Sequence, residues 1–223
     1  MKPIHNNTTK KQKHSEMKAG SLIIVGPMPF PRSALKDFIL EADTQLIFID
    51  GGDAHSAKFK IAAPKLYKKS IRAGDGDSSK KKMNLKKTSQ NISDLAFVLS
   101  TLKKNQNLKR CLLVGFMGGR LDHQLFNLGE IAHFLKQYSK LSAPLIQMDN
   151  KIFFVGTGIH HALIKGRFSI ASFETGKVKI SGECEYVSKK WLTLPALSSR
   201  GVRNVGFGNI TIETQKPLAI IKS

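Results

Sequence analysis

Residues 21–52 read SLIIVGPMPFPRSALKDFILEADTQLIFIDGG, and the order of patterns inside this stretch decides the fold. Two short apolar runs, Leu22-Ile23-Ile24-Val25 and Leu46-Ile47-Phe48-Ile49, flank a helical pattern over residues 34–40, and the second run stops at Asp50-Gly51-Gly52. Unbroken apolar runs suit strands buried on both faces, and a helix between two such strands carries the chain back to lay them parallel. The stretch therefore predicts a β-α-β start and a parallel sheet covered by helices.

The downstream sequence extends that pattern. Ile92, Leu95, Ala96, Leu99 and Leu102 fall at helical spacing, with Ser89 or Asn91 able to cap the start and Asp94 in the first turn. Cys111-Leu112-Leu113-Val114-Gly115-Phe116 reads as a buried strand, and Leu121, Leu125, Leu128, Ala132 and Leu135 form an apolar stripe on the helix after it. Gly118, Gly119, Arg120 and Asp122 then occupy a strand-to-helix turn. In open α/β sheets ligands sit at the carboxyl ends of strands, where helix N-termini favour phosphate. After Met148 the pattern changes to short runs at 151–155, 167–173, 176–180, 209–213 and 218–221, separated by turn residues. The expected organisation is a basic tail without chemistry over 1–20, a Rossmann-like, mostly parallel α/β domain over 21–147, and an all-β, sandwich-like domain over 148–223.

Bulk composition bounds the function. A chain of 223 residues with 41% hydrophobic content can bury a core and is not disordered. Its apolar runs are too short to cross a bilayer, and the lysine-rich start lacks a signal-peptide core, so a soluble cytoplasmic protein is expected. Cys111 and Cys184 read as reduced structural thiols rather than a disulfide or zinc ligands. The net charge of +20 raises nucleic acid as a partner, but the lysines cluster in the tail and the 58–87 segment with few interleaved aromatics. They read as a solvated basic surface, and specific nucleic-acid binding is not indicated.

Two clusters carry chemistry. In Gly74-Asp75-Gly76-Asp77-Ser78, carboxylates one residue apart on a glycine loop can hold Mg²⁺, although Asp and Gly are also ordinary turn residues. In Gly118-Gly119-Arg120-Leu121-Asp122-His123, an arginine at a helix start can meet the phosphates that such a metal carries, although an acid there also suits the helix dipole. Asp94 has that same structural explanation, and Asp50 could be a strand-end turn residue. His123 is not required as a base. Adjacent His160 and His161 would point to opposite faces of a strand, so no metal role is assigned to them. Trp191 could be β-domain core or a stacking surface.

Taken in order, Asp50-Gly51-Gly52-Asp53-Ala54, Gly74-Asp75-Gly76-Asp77-Ser78, Ser93-Asp94, Gly119-Arg120-Leu121-Asp122-His123 with Asn127, and the 197–204 loop before the final strands resemble the thiamine pyrophosphokinase family. The resemblance runs from about residue 21 to the C-terminus. It implies transfer of pyrophosphate from ATP to the hydroxyethyl oxygen of thiamine, with Mg²⁺ as cofactor and a homodimer whose sites lie between subunits. It implies metal and pyrophosphate-site roles for Asp75, Asp77 and Asp94, an ATP-phosphate contact for Arg120, and an acidic-site role for Asp122. Asp50, Gly51, Gly52 and Gly119 would line the nucleotide pocket, and Asn204, near Trp191, would contact thiamine.

Three positions depart from the family pattern. Asn91 stands where an aspartate is expected, and the sequence leaves open whether Lys86 or Lys87 takes over part of that acid's role. Arg203-Asn204-Val205 replaces a Ser-Asn-Glu, placing a cation where a small hydroxyl would meet a cationic acceptor. Besides a thiamine kinase, the residues leave open a pyrophosphokinase for another hydroxyalkyl heterocycle, and a non-catalytic relative that binds nucleotide or RNA.

Overall fold

The apolar runs form strands in the computed structural model, which describes residues 20–35, 43–77, 81–102, 105, 107–138 and 144–223. β1 (Ser21–Val25) leads into a 3₁₀ turn at Arg32–Leu35. Most of the helix expected over 34–40 lies outside the described residues, as do residues 1–19 of the tail. Then come β2 (Gln45–Ile49), a 3₁₀ turn at Asp50–His55, α1 (Ser56–Ala62), α2 (Pro64–Lys68), β3 (Ile71–Gly74) and β4 (Leu85–Lys86). α3 (Asp94–Leu102), β5 (Arg110–Val114) and α4 (Leu121–Gln137) complete the helical half. The remainder is β6 (Leu145–Met148), β7 (Ile152–Val155), β8 (Gly158–Ser172), β9 (Gly176–Cys184), β10 (Leu192–Leu194), β11 (Asn204–Thr214) and β12 (Leu218–Lys222).

Among the described residues, the strands join one twelve-stranded mixed sheet in the order β10-β9-β11-β8-β12-β7-β6-β5-β1-β2-β3-β4. The β4-to-β6 side is parallel and the β7-to-β10 side antiparallel. Hydrogen bonding is continuous where the sequence pattern changes near residue 148. β6 and β7 pair antiparallel, with Met148 opposite Ile152, through a turn whose central residues Asp149 and Asn150 have φ of 46° and 60°. Lys151 N donates to Met148 O at 3.2 Å, which closes the turn. Two successive positive φ values suit the twist of a hairpin, and Asp and Asn tolerate them better than most residues.

Alternation along the parallel strands builds two cores. Leu22, Ile24, Ile47, Cys111 and Leu113 pack with Leu95, Val98 and Leu99 of α3 and with Ile131, Phe134 and Leu135 of α4. Ile23, Val25, Leu46, Phe48 and Val114 pack on the opposite face with Phe30 and Phe59. Removing a large ring such as Phe48 from such a core costs about 3–5 kcal/mol. The antiparallel half closes its own cluster around Ile164, Phe168, Val178, Ile210 and Ile220.

Three local expectations are corrected. α3 begins at Asp94 rather than 92, and its cap is Ser93, whose Oγ accepts the Ala96 N–H at 3.0 Å; Ser89 Oγ instead accepts the Asn91 N–H. The stripe on α4 is buried only toward its C-terminal end: Leu121 is 80% exposed and Leu125 and Phe126 are exposed. At roughly 25 Å, α4 outruns the roughly 17 Å strand β5 that precedes it, so its first turns overhang the sheet. Trp191 is 40% exposed and is not core.

Candidate active site

Parallel strands deliver their following loops to one edge of the sheet, and here the turns after β1, β2, β3 and β5 surround a cavity of about 480 Å³. Close approach at that edge depends on glycine. A Cβ on Gly52 would lie 2.1 Å from Val25 O, and one on Gly115, at φ 77°, would lie 2.6 Å from Met28 O.

Asp75, Asp77, Asp94, Gly51, Gly119 and Arg120 all line this cavity, so residues distant in sequence meet as the motifs suggest. Gly52 is buried behind the lining. Asp50 opens the 3₁₀ turn after β2, and its side chain lies outside the described part of the structure. Asp122 stands behind Arg120 rather than on the cavity wall.

The acidic wall is built around a lysine. Lys87, only 6% exposed, follows β4 and directs Nζ to Asp94 Oδ1 at 2.9 Å and to Asp75 Oδ2 at 3.4 Å, while donating to Ile92 O at 3.0 Å. Burial pushes the Lys87 ammonium toward a lower pKa, but its pairing with Asp94 and Asp75 outweighs this and leaves it above the ordinary lysine value. The Asp77 N–H, donating to Asp75 Oδ1 at 3.3 Å, and then Lys87 hold Asp75 below the usual carboxylate range. Asn91 is exposed, outside the cavity lining.

The opposite wall is the glycine turn 115–119. Gly115 and Gly118 take positive φ, and the turn is fastened by three side chains. Asp149 Oδ1 accepts the Gly115 N–H at 3.3 Å, Gln124 Nε2 donates to Gly119 O at 2.8 Å, and Asn127 Nδ2 donates to Phe116 O at 3.4 Å. Burial raises the Asp149 carboxyl above the ordinary range, partly offset by the N–H groups of Gly115 and Met117. Arg120, with its side chain 74% exposed, binds Asp122 through two parallel contacts, Nε to Oδ1 at 3.2 Å and Nη2 to Oδ2 at 2.6 Å. Each partner favours the charged form of the other. The pairing aims a planar cation at the cavity mouth while leaving its other donors available.

The residues expected at an acceptor do not join this cavity. Asn204 is buried at the start of β11, where Oδ1 accepts the Tyr186 N–H at 3.0 Å and Nδ2 donates to Tyr186 O at 2.9 Å. It lines a second, mostly apolar cavity of about 440 Å³ in the antiparallel half. Trp191 lines neither cavity. Arg203 is exposed at φ 68°, and its N–H donates to Ser169 Oγ at 3.3 Å. Sequence reasoning missed Asp149 and Gln124, because an Asp-Asn turn and a polar helix residue carry no distinguishing pattern.

Among the described residues, no three His, Cys, Asp or Glu side chains converge closely enough to cage a metal. The donor set still fits Mg²⁺. Carboxylate oxygens of Asp75, Asp77 and Asp94 face one cavity, and Mg²⁺ commonly takes one or two carboxylates and draws its other ligands from phosphate and water. Among the described residues, no helix is long and apolar enough to cross a membrane.

A mixed α/β sheet with an acidic loop and a glycine-arginine turn facing each other across its carboxyl edge defines the class of fold. No protein-family model and no curated protein sequence matches the chain. Solved structures do match. The thiamine pyrophosphokinase of Bacillus subtilis aligns over 91% of this chain and 98% of its own, with a TM-score of 0.60 at 18% identity. A thiamin pyrophosphokinase family protein from Enterococcus faecalis covers 92% and 99% at TM-score 0.62 and 14% identity, and yeast thiamin pyrophosphokinase covers 93% and 86% at 0.59 and 15%. The chain has the thiamine pyrophosphokinase fold over nearly its whole length.

Proposed function

We propose that this protein is an ATP-dependent pyrophosphokinase of the thiamine pyrophosphokinase family. The observation that carries the reading is the convergence of Asp75, Asp77 and Asp94 with Gly119 and Arg120 on facing walls of one cavity. The acceptor hydroxyl oxygen bonds to the β-phosphorus of ATP and loses its proton to solvent, while the bond from that phosphorus to the α-bridging oxygen breaks and AMP departs with that oxygen. Reactions of this kind depend on positioning and charge neutralisation more than on covalent help from the protein. Arg120, oriented by Asp122, holds phosphate oxygens, and the glycine turn lets its backbone approach them. Asp75 and Asp77, with Asp94, would hold Mg²⁺, which neutralises phosphate charge when bound. Phe116, Met28 and Ile49 give the cavity an apolar side against which a base can pack.

Thiamine is the acceptor we propose, in a homodimer. Asn204 and Trp191 lie outside the cavity lining, which supports an acceptor site completed by a second copy. The exposed cation of Arg203 supports the other reading, a different hydroxyalkyl heterocycle that is neutral or acidic. The test incubates the purified chain with ATP, Mg²⁺ and thiamine and follows AMP and thiamine diphosphate together, with Asp77→Asn as control. Both products in equal amounts, lost in the control, support the proposal. AMP formed only with another heterocycle moves the acceptor, and nucleotide binding without AMP from any acceptor favours the non-catalytic reading.

A further inference from the structure

We infer that Lys87 is a resident counter-ion that closes the acidic wall to free divalent ions, so that the metal enters only together with nucleotide phosphates. The inference rests on the reading of the cavity as an Mg-nucleotide site and adds to it an order of binding.

Three observations carry it. Lys87 is almost fully buried, and its ammonium meets three oxygens, one each from Asp94, Asp75 and the Ile92 carbonyl, at 2.9, 3.4 and 3.0 Å. The contact to Ile92 O is a hydrogen bond and the two carboxylates are held as ion pairs, with Asp94 Oδ1 a buried oxygen that has no hydrogen-bond donor among the described residues. The lysine therefore stands in the space between the two carboxylates where a cation would otherwise gather. Finally, Lys87 also lines the cavity, so its ammonium is within the space a ligand enters.

A doubly charged ion arriving alone would have to share Asp75 and Asp94 with a positive charge a few ångströms away, in a site where burial weakens screening. A nucleotide changes that balance. Phosphate oxygens offer the ammonium new acceptors, and the longer of its carboxylate contacts, the one to Asp75, is the one it can give up. Asp75 Oδ2 is then free for the metal carried by the same phosphates, and Lys87 stays in the site as a phosphate contact.

The experiment measures Mn²⁺ binding by electron paramagnetic resonance, as the loss of the free-ion signal, with and without α,β-methylene-ATP, on the intact wild-type chain and on Lys87→Met. The expected result is weak Mn²⁺ binding by the wild type alone and saturable binding once the analogue is present. Lys87→Met binds Mn²⁺ without nucleotide about tenfold more tightly or better. Tight nucleotide-independent binding by the wild type overturns the inference, as does a folded Lys87→Met that gains nothing. Should Lys87→Met lose its circular dichroism signature, the wild-type titrations decide alone: nucleotide-dependent uptake supports the inference and nucleotide-independent uptake overturns it. If the analogue does not bind at all, the proposed function falls, while the comparison of the two nucleotide-free titrations still decides the role of Lys87.

Discussion

Asp149 Oδ1 accepts the backbone N–H of Gly115 at 3.3 Å, tying the turn between β6 and β7 to the glycine turn that presents Arg120. A buried carboxylate that holds backbone N–H groups fixes the path of the chain it holds, and removing it leaves those donors unpaired.

Asp149→Ala is expected to weaken binding of an ATP analogue roughly tenfold, because an unpaired buried donor costs about 1–3 kcal/mol. Isothermal titration beside thermal unfolding checks it: a fall in Tm with unchanged affinity would limit Asp149 to a stabilising role.

Acidity should affect the same carboxyl in a particular direction. Its pKa is raised by burial in the folded chain, so the folded state takes up a proton at higher pH than the unfolded one. The contribution of the protonated form to stability is fully present below about pH 4, the ordinary aspartate value, and is lost as pH rises through the native value. Asp149→Asn cannot titrate, so the Tm difference between wild type and variant should move against the wild type across that window.

Arg120 and Asp122 form a unit and should behave non-additively. Arg120→Ala is expected to lower kcat/KM on the order of 100-fold, as loss of a charge-stabilising donor does. Asp122→Asn should cost about tenfold, since it leaves the guanidinium in place but unaimed, and the double variant should match Arg120→Ala. Additive losses would mean that Asp122 acts on substrate directly.

Asn204 separates a structural from a substrate role. Its side chain engages the N–H and the carbonyl of Tyr186 and the N–H of Val205, so Asn204→Ala should destabilise the fold by about 2 kcal/mol. Urea unfolding with an unchanged m-value would register this as a lower midpoint. An unchanged midpoint with lost acceptor binding would return Asn204 to the role that its motif implies.

The sequence exposes the fold where burial forces a pattern. Leu22 to Val25, Leu46 to Ile49 and Cys111 to Val114 are apolar on both faces because they lie in the middle of a sheet packed on both sides, and such runs are unmistakable. Asp75, Asp77 and Arg120 stand out in the sequence because they sit among glycines, and the structure brings all three to one cavity. Leu121 and Leu125 misled because helical spacing records which residues share a face, not whether the sheet extends far enough to cover them. Lys87 lies among 36 basic residues, and only the reversal of the chain from β4 into α3 singles it out by burying it between two carboxylates. The continuity of the sheet past residue 148 was hidden because a change of hydrophobic period marks a change of packing, whereas strand pairing follows the turn that joins the strands.

That turn lies where the hydrophobic pattern changes, and it ties the two halves of the sheet together. A recombinant carrying the helical half through Met148 and a foreign β half from the next residue would keep the core around Phe48 and Phe59 but would replace Ile152, Phe154 and Ala219 in the core that α3 and α4 pack on. It would inherit whatever side chain the donor happens to carry opposite Gly115. Exchange of modules in this fold has to match, besides those core residues, Asp149, which belongs by sequence to one half and by hydrogen bonding to the other.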